Sequence, residues 1–273
     1  MSDWVHGASS ESRAAMAQRL DEAVATGADP ARVGSDLFAV AVLLDSQASL
    51  RRILTDPARS GESQGRLLRD ILGDRIDPAA LDVAAVGASR RWTRVRHLAD
   101  AFEHFSVVAA VIAAEQSGQA DELEDELFRF ERIVVGEPGL REALGDRSVP
   151  VDHRAELVRS LLGDRAGAQT VQLVEQGLTG RHRSLTVALQ EYQKVAAERR
   201  ERMVATVRVA RPLAEDDKHR LAEALHRQYG RPVHLNVVVD EEVLGGLRVE
   251  IGDEVIDGTV ASRLEEARRR LAG

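Results

Sequence analysis

The amino-acid sequence contains the same stretch twice, 90 residues apart and without a gap. Residues 50–75 align with residues 140–165, and ten of the 26 aligned residues are identical. Chance would give about two or three identities in a chain of this composition. The same offset pairs Gly87 with Gly177 and Arg91 with Arg181. Solenoid repeats have periods of about 20 to 50 residues, so this longer period indicates two copies of a whole small domain.

Composition narrows the functional classes. Cysteine is absent, which excludes disulfides and cysteine nucleophiles and is typical of a reducing cytosol. A net charge of −8 argues against nucleic acid as a partner, since proteins that bind nucleic acid rely on positively charged surfaces. The longest apolar run, residues 107–114, is shorter than the roughly 18 to 20 residues of a membrane span, and the N-terminus has no signal pattern. We therefore expect a chain that neither spans a membrane nor is exported.

The first two-thirds of the chain has the pattern of helices. Apolar residues recur at a spacing of three and four, and glycine and proline fall between the segments. Asp29-Pro30 and Asp77-Pro78 each place a capping residue directly before a proline at the first helical position, which predicts two helix starts. Each copy should therefore form a bundle of short helices with its own core, and the matched leucines, Leu54 with Leu144 and Leu67 with Leu157, should be buried.

After about residue 203 the apolar period changes from 3.6 to 2. Residues 203–210, 233–239 and 247–251 alternate, a helix is predicted over 214–229, and Gly252-Asp253 predicts a hairpin turn before a further strand. An arginine-rich helix is expected over 260–271. The predicted fold is mainly α with a small α/β tail: two tandem helical bundles, residues 1–102 and 103–202, and a β-α-β-β-β-α module, residues 203–273.

The tail carries a specific pattern: an aspartate, a short spacer, an aliphatic pair, Gly-Gly, alternating apolar residues, Gly-Asp, and then Asp-Gly-Thr. It resembles the C-terminal signature of the delta subunit of F-type ATP synthases, the bacterial counterpart of the mitochondrial oligomycin-sensitivity-conferring protein. The signature residues here are Asp240, Leu244, Gly245, Gly246, Gly252, Asp257 and Gly258. Residues 13–20 resemble, more weakly, the opening of that family. Typical members have one helical domain, so the second copy departs from the pattern and leaves open which copy performs the family's head-binding role.

The resemblance implies a stator. In such proteins the helical bundle binds the N-terminal helices of alpha subunits at the top of the catalytic head, and the C-terminal module holds a b-type peripheral-stalk subunit. The expected location is the cytoplasmic face of the bacterial membrane, peripheral and through the complex. Because the first copy contains the family-like opening and lies at the free N-terminal end, we expect the alpha-subunit groove within residues 10–102. The predicted lining residues are Ala14, Ala17, Val40 and Leu44.

No residue pattern supports catalysis, a cofactor or a metal. The sequence contains no Gly-x-x-x-x-Gly-Lys-Ser/Thr loop. Histidines seven apart, at 97 and 104 and at 219 and 226, lack the His-Glu-x-x-His arrangement and are interpreted as solvated or partly buried. Gly245-Gly246 is interpreted as backbone freedom at a bend, and the acidic turn at 240–242 as solvated. Arg91 and Arg181 either cap the preceding helix or cross-link the bundle.

A second hypothesis from another class is a helical-repeat adaptor or an RNA-associated regulator whose similarity in the tail is incidental. The acidic net charge and the lack of clusters that mix aromatic and basic residues count against it.

Overall fold

The computed structural model describes residues 8–257 except 180, 202, 230–232, 241–242, 244 and 252–253. The chain folds into two compact units, Met1–Ala197 and Glu198–Gly273. The first is helical and the second contains a sheet. This is the predicted fold class, mainly α with a small α/β tail. The predicted final helix over 260–271 lies outside the described residues.

Eleven α-helices are found in the described residues up to Glu201, the last of which runs past the limit of the first unit at Ala197. The first copy comprises α1 Ala8–Ala25, α2 Pro30–Ser46, α3 Ala48–Leu54, α4 Gly61–Leu72, α5 Pro78–Ser89 and α6 His97–Gln116. The second copy continues with α7 Ala120–Gly136, α8 Pro138–Gly145, α9 Val151–Leu162, α10 Ala168–Gly177 and α11 Leu185–Glu201. The helices α2, α3, α4 and α5 begin 90 residues before α7, α8, α9 and α10 respectively, so the predicted equivalence of the two copies holds helix by helix.

Local sequence explains where these helices begin and end. The side chains of Asp29 and Asp77 accept hydrogen bonds from the backbone N–H groups of Ala31 and Ala79, at 2.9 and 2.8 Å, ahead of a proline at the first helical position. Both predicted helix starts are therefore confirmed. At the other end, α4 and α9 stop at Gly73 and Gly163, which have φ angles of 46° and 39°. Only glycine adopts this backbone without strain, which accounts for the glycine in both copies.

One helix, α6, belongs to both copies. By the 90-residue offset it is the last helix of the first copy, and it is also the counterpart of α1 and so the first helix of the second copy. Its side chains are divided between two hydrophobic clusters: Phe102 lies in the first, and Val107 and Val111 lie in the second. The proposed domain limit at residues 102 and 103 falls inside this helix.

The double role explains the composition of α6. By length and hydropathy alone it would suit a membrane span, as would the bent pair α2 and α3 taken together, but 83% of its most apolar window is buried inside the protein. At positions where α1 carries Asp21 and Glu22, α6 carries Val111 and Ile112, each 4% exposed. A helix that contacts protein on all sides is apolar all round.

Burial follows the repeat closely, with one correction. Leu54 and Leu144 are 0% and 1% exposed, as predicted. Leu67 and Leu157 occupy equivalent places in α4 and α9 but are only half-buried, so the prediction that they are core residues was wrong. The next residue in each helix, Leu68 or Val158, is fully buried instead. Adjacent residues of a helix point about 100° apart, and the sequence spacing did not show which of the two lies nearer the centre of the core.

The second unit contains a four-stranded sheet in the order β2-β1-β3-β4. Its described elements are β1 Met203–Val209, α12 Glu215–Tyr229, β2 Val233–Val239, β3 Leu247–Ile251 and β4 Glu254–Asp257. The strands β1 and β2 are parallel and are connected through α12, whereas β3 is antiparallel to both β1 and β4. One face of the sheet packs on Leu225 of α12. Pairing of Ile251 with Glu254 confirms the predicted hairpin, although Gly252 and Asp253 lie outside the described residues.

Candidate partner-binding surfaces and a buried ion-pair network

A buried arginine links the two helical copies. Arg181 lies between α10 and α11, and its side chain is 3% exposed. Its Nε donates to Glu103 Oε2 at 2.9 Å and its Nη2 donates to Asp100 Oδ1 at 3.0 Å, both on α6. Its Nη1 donates to the carbonyl oxygen of Ala41 at 3.2 Å and to the carboxylate of Asp45, both on α2. One guanidinium therefore connects the second copy to α2 and to the shared helix.

Glu103 is the second centre of this network. Its Oε1 accepts hydrogen bonds from the Tyr192 hydroxyl at 2.8 Å and from His182 Nε2 at 3.0 Å. Burial alone would raise the pKa of Glu103, but the hydrogen bond from His182 and the charge of Arg181 outweigh it and lower that pKa to about 2. Although burial alone would lower the pKa of Arg181, the neighbouring charge of Glu103 raises it above its usual value. The two groups are therefore ionised at neutral pH.

At Asp100 and Tyr192 the effect of burial prevails, so their pKa values are raised where that of Glu103 is lowered. Burial raises the pKa of Asp100 despite the nearby charges of Arg96 and Arg181. Burial, reinforced by the charge of Glu103, raises the pKa of Tyr192 well above its usual value, so its hydroxyl stays protonated and donates. The network satisfies the guanidinium on all three nitrogens, as a buried cation requires.

The matched arginine, Arg91, has no such role. Its side chain is exposed, and its carbonyl oxygen accepts a hydrogen bond from the hydroxyl of Ser12 at 2.6 Å. Of the two roles considered for the pair, cross-linking is the one that Arg181 performs, between copies rather than within one. The sequence did not indicate that Arg181 links the two copies, because the residues that accept its hydrogen bonds lie far from it along the chain. They are Asp45, Asp100 and Glu103.

The four residues predicted to line the first-copy groove do not share one surface. Ala14 is exposed and Ala17 is half-buried, both on α1. Val40 and Leu44 are 1% and 0% exposed, inside the first hydrophobic cluster. Only Ala14 is exposed, and Ala17 packs in part against the first hydrophobic cluster. Val40 and Leu44 offer no side-chain surface to a partner, so their assignment to the groove was wrong.

The signature residues of the tail are described in part. Asp240 directly follows β2; its backbone N–H donates to Val209 O at 2.9 Å, and its carboxylate lies 3.5 Å from Arg208 Nη1. Gly245 and Gly246 have φ angles of 143° and 82°, which supports the interpretation of Gly-Gly as a bend that other residues would strain. Leu244, Gly252 and Gly258 lie outside the described residues, as does the side chain of Asp257.

Two histidines of the first unit, His97 and His104, make contacts inside the protein, and His97 is buried and not solvated. His97 Nδ1 lies 3.0 Å from the hydroxyl of Ser9, and His104 Nε2 lies 2.9 Å from Arg13 Nη2. Within the described residues, no group of three or more histidine, aspartate or glutamate side chains is arranged to hold a metal ion.

The structure is a duplicated helical unit that shares one helix, followed by a small mixed sheet. Comparison with known proteins identifies the kind. The model of the family described as ATP synthase delta (OSCP) subunit matches residues 107–271. The curated protein "ATP synthase subunit delta" of Kineococcus radiotolerans is 49% identical over 269 residues, 98% of each chain. The proteins of that name in Streptomyces avermitilis and Streptomyces coelicolor are 48% and 47% identical, again over 98% of each chain.

The chain therefore belongs to the ATP synthase delta (OSCP) subunit family. Its role is that of a stator subunit in the peripheral stalk, and the alternative of an unrelated adaptor or RNA-associated regulator is set aside. Because these relatives match over nearly their whole length, the duplication is not peculiar to this chain.

Proposed function

We propose that this subunit joins the N-terminal helices of alpha subunits, at the top of the catalytic head, to a b-type peripheral-stalk subunit. It works at the cytoplasmic face of the bacterial membrane, which it reaches only through the complex, and it catalyses no reaction. The observation that carries the proposal is the similarity to delta subunits over 98% of both chains. A connector of this kind needs two separate binding surfaces, and the chain has two compact units.

The head-binding surface is assigned to the outer face of α1, around Ala14 and Ala17. The reason is the difference between α1 and its counterpart in the second copy. Ala14 and Ala17 correspond to His104 and Val107 of α6, and Val107 is 1% exposed. Since α6 is enclosed by both copies, the outward face of this type of helix is open only in the first copy. An amphipathic helix can lie against such an open face.

One finding favours the other copy. The family model begins at residue 107 and so matches the second copy and the tail, which means that family resemblance alone selects the second bundle. Burial and resemblance thus point to different copies, and we give priority to burial because a covered helix cannot bind a partner.

Crosslinking in the intact ATP synthase tests the assignment. A photoreactive residue replaces Ala14, and in a matched variant Arg159, which is exposed on α9 of the second copy. We expect adducts with the alpha N-terminus from position 14 alone. Adducts from position 159 alone would reverse the assignment, and adducts from both would show that two alpha chains are held at once.

The stalk-binding surface is assigned to the second unit. Val239 and Val255 are 51% and 50% exposed on β2 and β4, the two outer strands of the sheet. Among the described residues β2 and β4 are the two ends of the strand order, and exposed apolar side chains on such edge strands favour contact with a partner. Val239→Glu and Val255→Glu in the full chain should weaken co-purification of the b-type subunit while the alpha subunits remain bound. Undiminished b-type subunit in both variants would contradict this placement.

A further inference from the structure

The loops that precede the last helix of each copy are counterparts in the repeat, but their arginines lie in opposite environments. The 90-residue offset pairs residues 90–96 with residues 180–186, and Arg91 with Arg181. The side chain of Arg181 is buried against carboxylates, whereas the side chain of Arg91 is exposed. The helix that each loop meets explains the difference, because α1 is the counterpart of α6.

Helix α6 supplies acceptors for the buried arginine, and α1 supplies none at the same places. The acceptors Asp100 and Glu103 on α6 correspond to Ser10 and Arg13 on α1. A hydroxyl and a guanidinium thus replace two carboxylates. An arginine in the first loop therefore gains no counter-ion from these positions of α1.

Helix α1 instead holds the first loop by its backbone. The hydroxyl of Ser12 donates to Arg91 O at 2.6 Å, and the backbone N–H of Thr93 donates to Ser9 Oγ at 3.0 Å. Both serines are buried. Trp92 Nε1 adds a third bond, to a backbone carbonyl oxygen of α5 at 2.9 Å. The loop backbone is therefore fixed before any partner arrives, which lowers the entropy cost of binding through its side chains.

The first loop has positive charge that the rest of the protein matches only in part. Residues 90–96 include four arginines and no acidic residue. Arg94 and Arg96 are engaged within the protein, Arg96 with an aspartate of α6 at 3.2 Å. Arg90 and Arg91 are exposed, and neither forms an ion pair in the part of the chain that the structure describes. In a chain of net charge −8, these two arginines form a local site for an anionic group from outside.

The repeat indicates which anionic group fits. The guanidinium of Arg181 lies against three carboxylates, and the planar fork of an arginine matches a carboxylate through two parallel hydrogen bonds. A nucleic acid would meet the repulsion of the net negative charge of the chain. The favoured ligand is therefore a carboxylate of a protein.

We propose that Arg91, supported by the charge of Arg90, binds a carboxylate side chain in an acidic segment of another subunit. The contact repeats, between subunits, the one that Arg181 makes within the chain. It is a charged contact of the loop and does not depend on which copy binds the alpha subunits.

The first test uses the assembled ATP synthase. A photoreactive residue replaces Arg90, so that Arg91 remains in place, and mass spectrometry should map the adduct to a segment of another subunit that contains aspartate or glutamate. Arg91→Glu should then increase the loss of that subunit on salt washing. Replacing the mapped carboxylate by arginine in the same complex should restore its retention, which a purely structural role of Arg91 would not produce.

Three results of this test would overturn the proposal. They are an adduct on a segment without acidic residues, no adduct at all, and no recovery in the charge-exchanged pair. Crosslinking from position 14 proceeds independently, so failure at position 90 and failure of the head-binding assignment give different results.

The second test uses the full chain and synthetic probes. The probes are a short peptide of alternating glutamate and alanine, the same peptide with glutamine in place of glutamate, and a single-stranded oligonucleotide. We expect the glutamate peptide to bind saturably by isothermal titration and to bind more weakly as salt rises. Arg91→Gln should weaken this binding by about fivefold.

The control variant is Arg66→Gln. Arg66 is an exposed arginine on α4 that bonds to Glu62 at 2.6 Å, and its substitution should leave the affinity of the glutamate peptide unchanged. An equal loss of affinity in both variants would show only a general charge effect and would overturn the proposal. Equal binding of the glutamine peptide, tighter binding of the oligonucleotide, or no saturable binding would do the same.

Discussion

Substitution of Arg181 by alanine should destabilise both helical copies together. The guanidinium is 3% exposed and lies against three carboxylates, those of Asp45, Asp100 and Glu103. Removing it leaves buried negative charges without a counter-ion, and breaking a buried pair in this way costs about 3 to 5 kcal/mol. Substitution by lysine should recover only part of this, because an ammonium group cannot bond several acceptors through a planar fork.

Equilibrium unfolding in urea measures the effect. Trp92 packs against the first hydrophobic cluster, and its Nε1 donates to Gly87 O at 2.9 Å, so its fluorescence reports on the first copy, whereas Arg181 belongs to the second. Trp4 is replaced by phenylalanine so that a single indole remains. The midpoint seen by Trp92 should fall in Arg181→Ala, since the shared helix α6 joins the two cores.

The matched control is Arg91→Ala. Arg91 is the counterpart of Arg181 in the repeat, but its side chain is exposed, so its loss should change the free energy of unfolding by no more than about 0.5 kcal/mol. The reasoning is refuted if the two alanine variants unfold alike, or if Arg181→Ala shifts far-ultraviolet circular dichroism while the Trp92 transition stays unchanged.

Further predictions follow from the same structure. Because the pKa of Glu103 falls from 4.5 to about 2 on folding, its contribution of about 3 kcal/mol is complete above pH 4.5 and is lost as the pH falls towards 2. Asp100, whose pKa is raised, offsets part of it. The free energy of unfolding, measured by urea titration at several pH values, should therefore fall less between pH 4.5 and 2 in Glu103→Gln than in the wild type. An equal fall in both proteins would contradict this prediction. Leu54→Ala and Leu144→Ala should each cost about 2 to 5 kcal/mol by the same assay, and a loss below about 1 kcal/mol would contradict their burial. Isothermal titration of the full chain with magnesium and ATP should detect no saturable binding, because no phosphate-cradling loop exists in the sequence; micromolar affinity would disprove it.

Local sequence patterns predicted the helices and strands well. They did not predict which residues are covered by distant parts of the chain. The strand limits 233–239 and 247–251 and both Asp-Pro helix starts follow from period and turn chemistry. The double use of α6 did not follow from sequence, because a gapless repeat shows that elements recur but not that one element closes one copy and opens the next. Val40 and Leu44 were placed in a groove for a similar reason. Helical spacing identifies an apolar face, whereas only the fold shows whether its own chain covers it.

The shared helix bears on how a stator would resist torque. If a flexible linker joined the two bundles, one bundle could rotate relative to the other at little energetic cost, because a flexible segment gives no restoring force. In this chain the joint is α6 itself, twenty residues of continuous helix that contribute to both cores. Rotation of one copy against the other would have to break the packing of α6 in one of the two cores. Arg181 adds a second attachment on α2, away from the helix axis, and two attachments at different places oppose twisting where one would not. Directional hydrogen bonds to three carboxylates also fix the register of the copies more sharply than apolar contact does. Arg181→Met keeps an apolar side chain at this place but removes the hydrogen bonds to α2 and α6. We therefore expect the two copies to shift more easily in this variant, even if its free energy of unfolding is unchanged. Amide hydrogen exchange at residues Ala41–Asp45 of α2 should then be faster than in the wild type.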